Sequence, residues 1–203
     1  MKTTFLTILL LVSNSFAFGQ TKKLKVKLHS IEGYGQYEEL ARKAITKMEK
    51  VLNSDEFREG VESGTFIRTN GLTNEQLFDA IILANEKQGP GGLDNVVDLR
   101  ARVLRIDSDE SRWKNKCKIG SRAGTIGIDG NGDGVTAICP QRLEKWGEES
   151  NVANLAGHFT HEYMHILGFE HRKFLSSNKW RQKTFVYKIG NLVADLVREE
   201  MKK

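Results

Sequence analysis

From Leu24 to Leu28 the chain alternates apolar residues with lysines, and this period of two predicts a strand with one buried face. After a glycine-containing turn at 33–35, Leu40, Ala44, Met48 and Val51 recur at helical spacing and predict a long amphipathic helix over 37–52. Ser54, Asp55 and Glu56 can start a short helix through Val61. Thr73 and Gln76 form a capping box ahead of Leu77, Phe78, Ile81 and Ile82, so another helix is expected to about Glu86. The glycine-rich stretch 88–92 breaks it; lacking the Lys and Ser/Thr of a phosphate loop, it reads as a connector.

Alternation returns at Val97, Leu99, Ala101 and Val103, which predicts a strand. A polar loop covers 107–115. Two short β-prone runs, 125–128 and 135–139, flank a glycine-rich turn, and Pro140 ends the second. Ser150 or Asn151 can cap a helix carrying Val152, Leu155 and Phe159. The last apolar stripe, Leu192, Val193, Leu196 and Val197, predicts a closing helix over 190–201. No repeat or linker divides the chain, so residues 20–203 are expected to form one domain.

Composition changes little in this picture. The chain has 203 residues, enough for a substantial core, and a net charge of +5. The basic residues are spread among acidic ones, with richer ends at Lys22-Lys23 and 198–203, and form no nucleic-acid stripe. The first residues alter the expected location. Lys2, the apolar run 5–12 and the small residues Ala17 and Gly19 resemble a signal peptide over 1–19, cleaved before Gln20. No later stretch is long and apolar enough for a membrane helix. A secreted or periplasmic monomer without stable membrane insertion is expected. Cys117 and Cys139, an even pair in such a chain, favour one disulfide; free thiols, or a cysteine that blocks the metal, are the alternatives.

The candidate chemistry lies in the helix after Asn151, where His161, Glu162, His165, Gly168 and His171 follow the pattern H-E-x-x-H-x-x-G-x-x-H. At about 100° per residue, His161 and His165 lie about 40° apart and one turn from each other, so both can reach one ion. Glu162 points off that axis and suits a general base acting on water. Gly168 can adopt positive φ, end the helix and let His171 turn back as third ligand. Three imidazoles and an open position fit catalytic zinc, with cobalt or nickel as substitutes. His158, one turn earlier, is read as a residue supporting the ligands or lying at the surface.

These five residues resemble the metzincin clan of zinc endopeptidases. The resemblance implies an α+β fold: a twisted mixed sheet of about five strands packed on a long helix and an active-site helix, with a C-terminal helix. It implies a protein or peptide substrate bound as an extended strand, by position along 135–139. The function implied is exported endopeptidase activity, in which a zinc-activated water attacks the peptide bond and Glu162 is the general base. The clan's methionine turn is missing, since Met201 alone follows His171 and sits in the closing helix. On the clan pattern Phe185 replaces that methionine, and Tyr187 is a tyrosine near the metal that binds it or donates to the oxyanion; the alternative is a core aromatic pair. Two other functions stay open: a catalytically weak metzincin-like peptide- or protein-binding module, and a zinc amidase acting on cell-wall peptide.

A second motif, residues 129–134, matches the first half of a calcium loop, with Asp129, Asn131 and Asp133 as candidate Ca2+ ligands. Its twelfth position is Pro140 instead of Glu, and a glycine-rich hairpin turn needs the same residue types.

Overall fold

A computed structural model describes residues 23–84, 86, 94–104, 117, 135–170 and 178–203. The expected signal peptide, the connector at 88–92, the run at 125–128, the calcium motif and His171 lie outside the described residues. In chain order the elements are β1 (Lys25–Glu32), α1 (Glu38–Leu52), α2 (Asp55–Glu62), α3 (Asn74–Ile82), β2 (Val96–Val103), β3 (Val135–Ile138), α4 (Pro140–Glu148), α5 (Val152–Ile166), the short α6 (Asn178–Arg181) and α7 (Phe185–Glu200).

Local chemistry sets most of these boundaries. The Ser54 hydroxyl accepts from the Phe57 amide at 3.2 Å and starts α2. Both halves of the Thr73/Gln76 capping box are present at α3. That helix stops at Ile82, short of Glu86, because Ala84 turns the chain with φ 48°. Pro140 does end β3, and it also opens a helix the sequence reading missed: it occupies the first turn of α4, where an amide proton has no partner to lose. The Asn151 side chain caps α5, accepting from the Asn154 amide at 3.0 Å.

The fold is mixed α+β. The sheet corrects the expectation of about five mixed strands: among the described residues it has three, in the order β1-β2-β3, and both pairings are parallel. Parallel neighbours need long crossovers, and α1 to α3 provide the one between β1 and β2. Register puts Val26 beside Val97, Leu28 beside Leu99 and Ile31 beside Ala101. These residues pack into one core with Met48 and Leu52 of α1, Leu155 and Phe159 of α5, and Val186 and Val193 of α7. Helices α5 and α7 therefore pack together within the layer that fills this face.

A smaller cluster, Leu104, Cys117, Ala137 and Cys139, is separate from that core. Its centre is the expected disulfide, with an S–S distance of 2.00 Å between residues 22 apart in sequence. Closing a loop of that length stabilises a native state by about 3 kcal/mol in the loop-entropy model. Replacing both cysteines by alanine is expected to lower stability by that amount, read from denaturant unfolding; an unchanged midpoint would contradict it.

Glu86, just past α3, accepts from the Asp98 amide at 2.9 Å and is 7% exposed. Burial is the main force pushing its carboxyl up to about 7, with the Asp98 and Asp94 charges adding to it against the amide hydrogen bond. A carboxyl raised on folding contributes stability that is whole below the unfolded pKa and is lost as pH rises through the folded one. Glu86→Gln keeps the acceptor and removes the charge. Discounted for solvent screening, it is expected to gain about 1 kcal/mol over the parent at pH 8 and nothing near pH 4. Melting curves at the two pH values check this, and an equal gain at both would refute it.

Candidate metal centre

Helix α5 is buried along most of its length, and its polar cluster lies in the last two turns. One ligand atom from each of His161, Glu162 and His165 lies within 4.8 Å of the other two. The His161 and His165 rings stand 5.2 Å apart at 78° to each other. The His161 Nε2 and Glu162 Oε1 atoms are 3.8 Å apart. Glu162 is fully buried, while both histidines keep partial exposure, so the cluster is open on the histidine side.

The helix end orients His165. Gly168 takes φ 87°, its amide bonds the His165 carbonyl at 2.9 Å, and the Phe169 amide bonds the Met164 carbonyl at 3.0 Å. This pair of bonds is a Schellman stop, and glycine is the residue that adopts its left-handed position without a Cβ penalty. The turn swings the Phe169 carbonyl back over the helix, where it accepts from His165 Nδ1 at 2.7 Å. A carbonyl only accepts, so Nδ1 carries the proton and Nε2 keeps the lone pair. Burial lowers the His165 pKa, against smaller opposing effects of Phe169 and Glu170, and so favours the neutral ring.

Helix α7 is the second wall. It begins at Phe185, five residues before the expected 190, so Phe185 and Tyr187 belong to its first turn. Buried positions 185, 186, 189, 190, 193, 194 and 197 form its inner face. The two aromatics then separate. Phe185 is fully buried against Phe66 at 5.3 Å and Phe169 at 4.6 Å. Tyr187 stands on edge to the His161 ring with centroids 4.5 Å apart. Phe185 is thus a core aromatic, while Tyr187 touches the cluster.

Close approach of the two helices depends on glycine. A Cβ on Gly157 would meet the Gly190 carbonyl oxygen at 2.5 Å, and one on Gly190 would meet the Gly157 oxygen at 2.8 Å and the His161 Cβ at 3.1 Å. His158 faces elsewhere. It is buried beside Trp146 and Phe159 and hydrogen-bonds the Ala137 backbone in β3. Burial, with Arg142 nearby, pulls its pKa down to about 3, so it is a neutral tie between α5 and the sheet.

Sequence reasoning found the helix-borne cluster and the glycine stop. It did not find the Phe169 carbonyl, because a backbone acceptor carries no residue signature. Nor did it find Phe66 or Asn70, which reach the site from about a hundred residues away and follow no local pattern.

The donor set fits a transition metal such as zinc. Two histidines one turn apart converge with a carboxylate, one has its tautomer fixed by a backbone acceptor, and the buried surroundings favour neutral imidazole. Among the described residues no second group of His, Cys, Asp or Glu converges in this way. No family model, curated protein or solved structure matches the chain.

Proposed function

We propose that this protein is an exported, zinc-dependent endopeptidase of the metzincin type, with His161, His165 and His171 as ligands and Glu162 as general base. The observation that carries the reading is the convergence of His161, Glu162 and His165, with His165 Nδ1 committed to the Phe169 carbonyl. A zinc ion at this place supplies Lewis acidity to a peptide carbonyl and eases deprotonation of water. His161 and His165 offer imidazole nitrogens, His165 its Nε2 because Nδ1 is committed to Phe169. Glu162, buried beside them, takes a proton from water and returns it to the leaving amine. The Tyr187 hydroxyl donates to the oxygen of the reacting carbonyl. The substrate is a peptide in extended conformation. Pairing along β3 needs that strand uncovered, because all four of its residues are buried.

The test uses the purified full chain. Elemental analysis is expected to give one zinc per chain, and a denatured protein substrate should be cut at peptide bonds, with chelator stopping cleavage and zinc restoring it. A zinc-loaded protein that cuts no protein substrate but retains a bound partner through purification would favour the binding module. Release of cell-wall peptide with no cleavage of protein would favour the amidase.

A further inference from the structure

We propose that residues 64–70 form a strap that positions His165, acting from outside the helix that bears it; this rests on the metal reading above. Two separate contacts join the strap to the turn after α5. At one end the Asn70 Nδ2 donates to the Gly168 carbonyl at 3.3 Å. At the other, the Phe66 ring meets Phe185 edge-on at 5.3 Å and 88°, and Phe185 in turn packs on Phe169 at 4.6 Å. Gly168 and Phe169 are the residues whose backbone holds His165: the first lets the chain turn, and the second accepts from Nδ1.

The strap is itself fixed. The Ile67 amide bonds the Lys183 carbonyl at 3.3 Å, and the Phe185 amide bonds the Ile67 carbonyl at 2.9 Å. Lys188 Nζ donates to the Thr65 carbonyl at 2.7 Å. Asn74 Nδ2 holds the Gly64 carbonyl at 2.8 Å. The Phe66 ring lies where a side chain on Gly64 would be, 2.1 Å from the position of its Cβ, so glycine there allows the ring to turn onto Phe185. Arg68 and Asn70 have φ of 66° and 55°, which bends the segment towards Gly168. The strap therefore reaches the turn through a side-chain hydrogen bond to the Gly168 carbonyl and through an aromatic stack on the Phe169 ring, and so holds both residues next to the Phe169 carbonyl that sets the His165 tautomer.

Orienting partners of a ligand histidine change metal affinity by about tenfold or more when removed, whereas a purely structural contact changes stability alone. The test compares the full-length parent with Phe66→Ala, Phe66→Leu and Asn70→Gly. Glycine at 70 keeps the positive φ and removes only the donor. Zinc affinity is measured by competition with a chromophoric chelator, ligand geometry by the visible spectrum of the cobalt-loaded protein, and stability by the melting point of the metal-free chain. Phe66→Ala is expected to weaken zinc binding about tenfold and change the cobalt spectrum, with Phe66→Leu restoring most of both. Asn70→Gly is expected to weaken binding a few-fold with the metal-free melting point almost unchanged. Parental zinc affinity and cobalt spectrum in Asn70→Gly and in whichever Phe66 variants fold would overturn the strap. A parent that binds no zinc would instead overturn the metal reading on which it rests.

Discussion

Glu162→Gln is expected to keep bound zinc and to lose peptide-bond cleavage by about a thousandfold, within the range set by removing a general base. The substitution is nearly isosteric, which is important because the side chain is fully buried within the cluster. An amide can still accept and donate hydrogen bonds there, but it cannot take a proton from water. Two roles of Glu162 are separated by this variant. Its oxygen lies 3.8 Å from His161 Nε2, close enough for a ligand as well as for a base. If it is the base, metal content stays and turnover goes. If it is a ligand, zinc affinity falls with turnover. Parental activity in the variant would sink the mechanism outright.

Gly157→Ala is expected to lower stability by a net of about 2 kcal/mol. Its added methyl would press on the Gly190 carbonyl oxygen at 2.5 Å and on the Ala194 Cβ at 2.8 Å, atoms fixed to the α7 backbone. Overpacking against backbone costs about 1–3 kcal/mol or more, and the helix propensity gained by alanine offsets about 1 kcal/mol of it. For a domain of this size the melting point should fall by roughly 4–8 °C. Gly60→Ala is the control. Its Cβ would also come within 2.8 Å of a neighbour, but that neighbour is the end of the Leu192 side chain, which can rotate. That variant should melt near the parent. Equal losses at the two positions would mean that the helix crossing is not tightly fitted.

What was legible in the sequence follows the range of the interactions involved. The alternation of Leu24, Val26 and Leu28, the capping box at Thr73 and the stripe from Leu40 to Val51 are local, and each marks its element correctly. The pairing of His161 with His165 is also local, because one helix turn brings them together. The glycine stop follows from φ at Gly168 alone. Other features depend on partners far along the chain. Pro140 reads as the end of a strand, and only the following Leu143 on a buried face shows that it begins a helix. Gly190 reads as a helix start because glycine is a poor helix former, whereas its place inside α7 is explained by the opposing Gly157. Parallel pairing cannot be read from single strands, since alternation is the same for either direction. The packing around Phe185 leaves no local mark in the sequence for the same reason: its neighbours Phe66 and Phe169 come from two separate segments.

The wide spacing of those segments also bears on when the site comes into being. Asn70 meets Gly168 across 98 residues, Ile67 forms a bridge with Thr184, and both pairings in the sheet are parallel. Contacts of this kind are made only after long loops have closed, so they arrive late in folding and are lost with global opening. A partly folded chain can already hold His161 and His165 on one helix, with the local stop at Gly168 and Phe169, while Asn70, Phe66 and Tyr187 are not yet in place around them. The complete setting of the His161, Glu162 and His165 cluster is thus tied to the finished fold; on the proposed reading, unfolded copies of the chain would meet no competent site during their own folding.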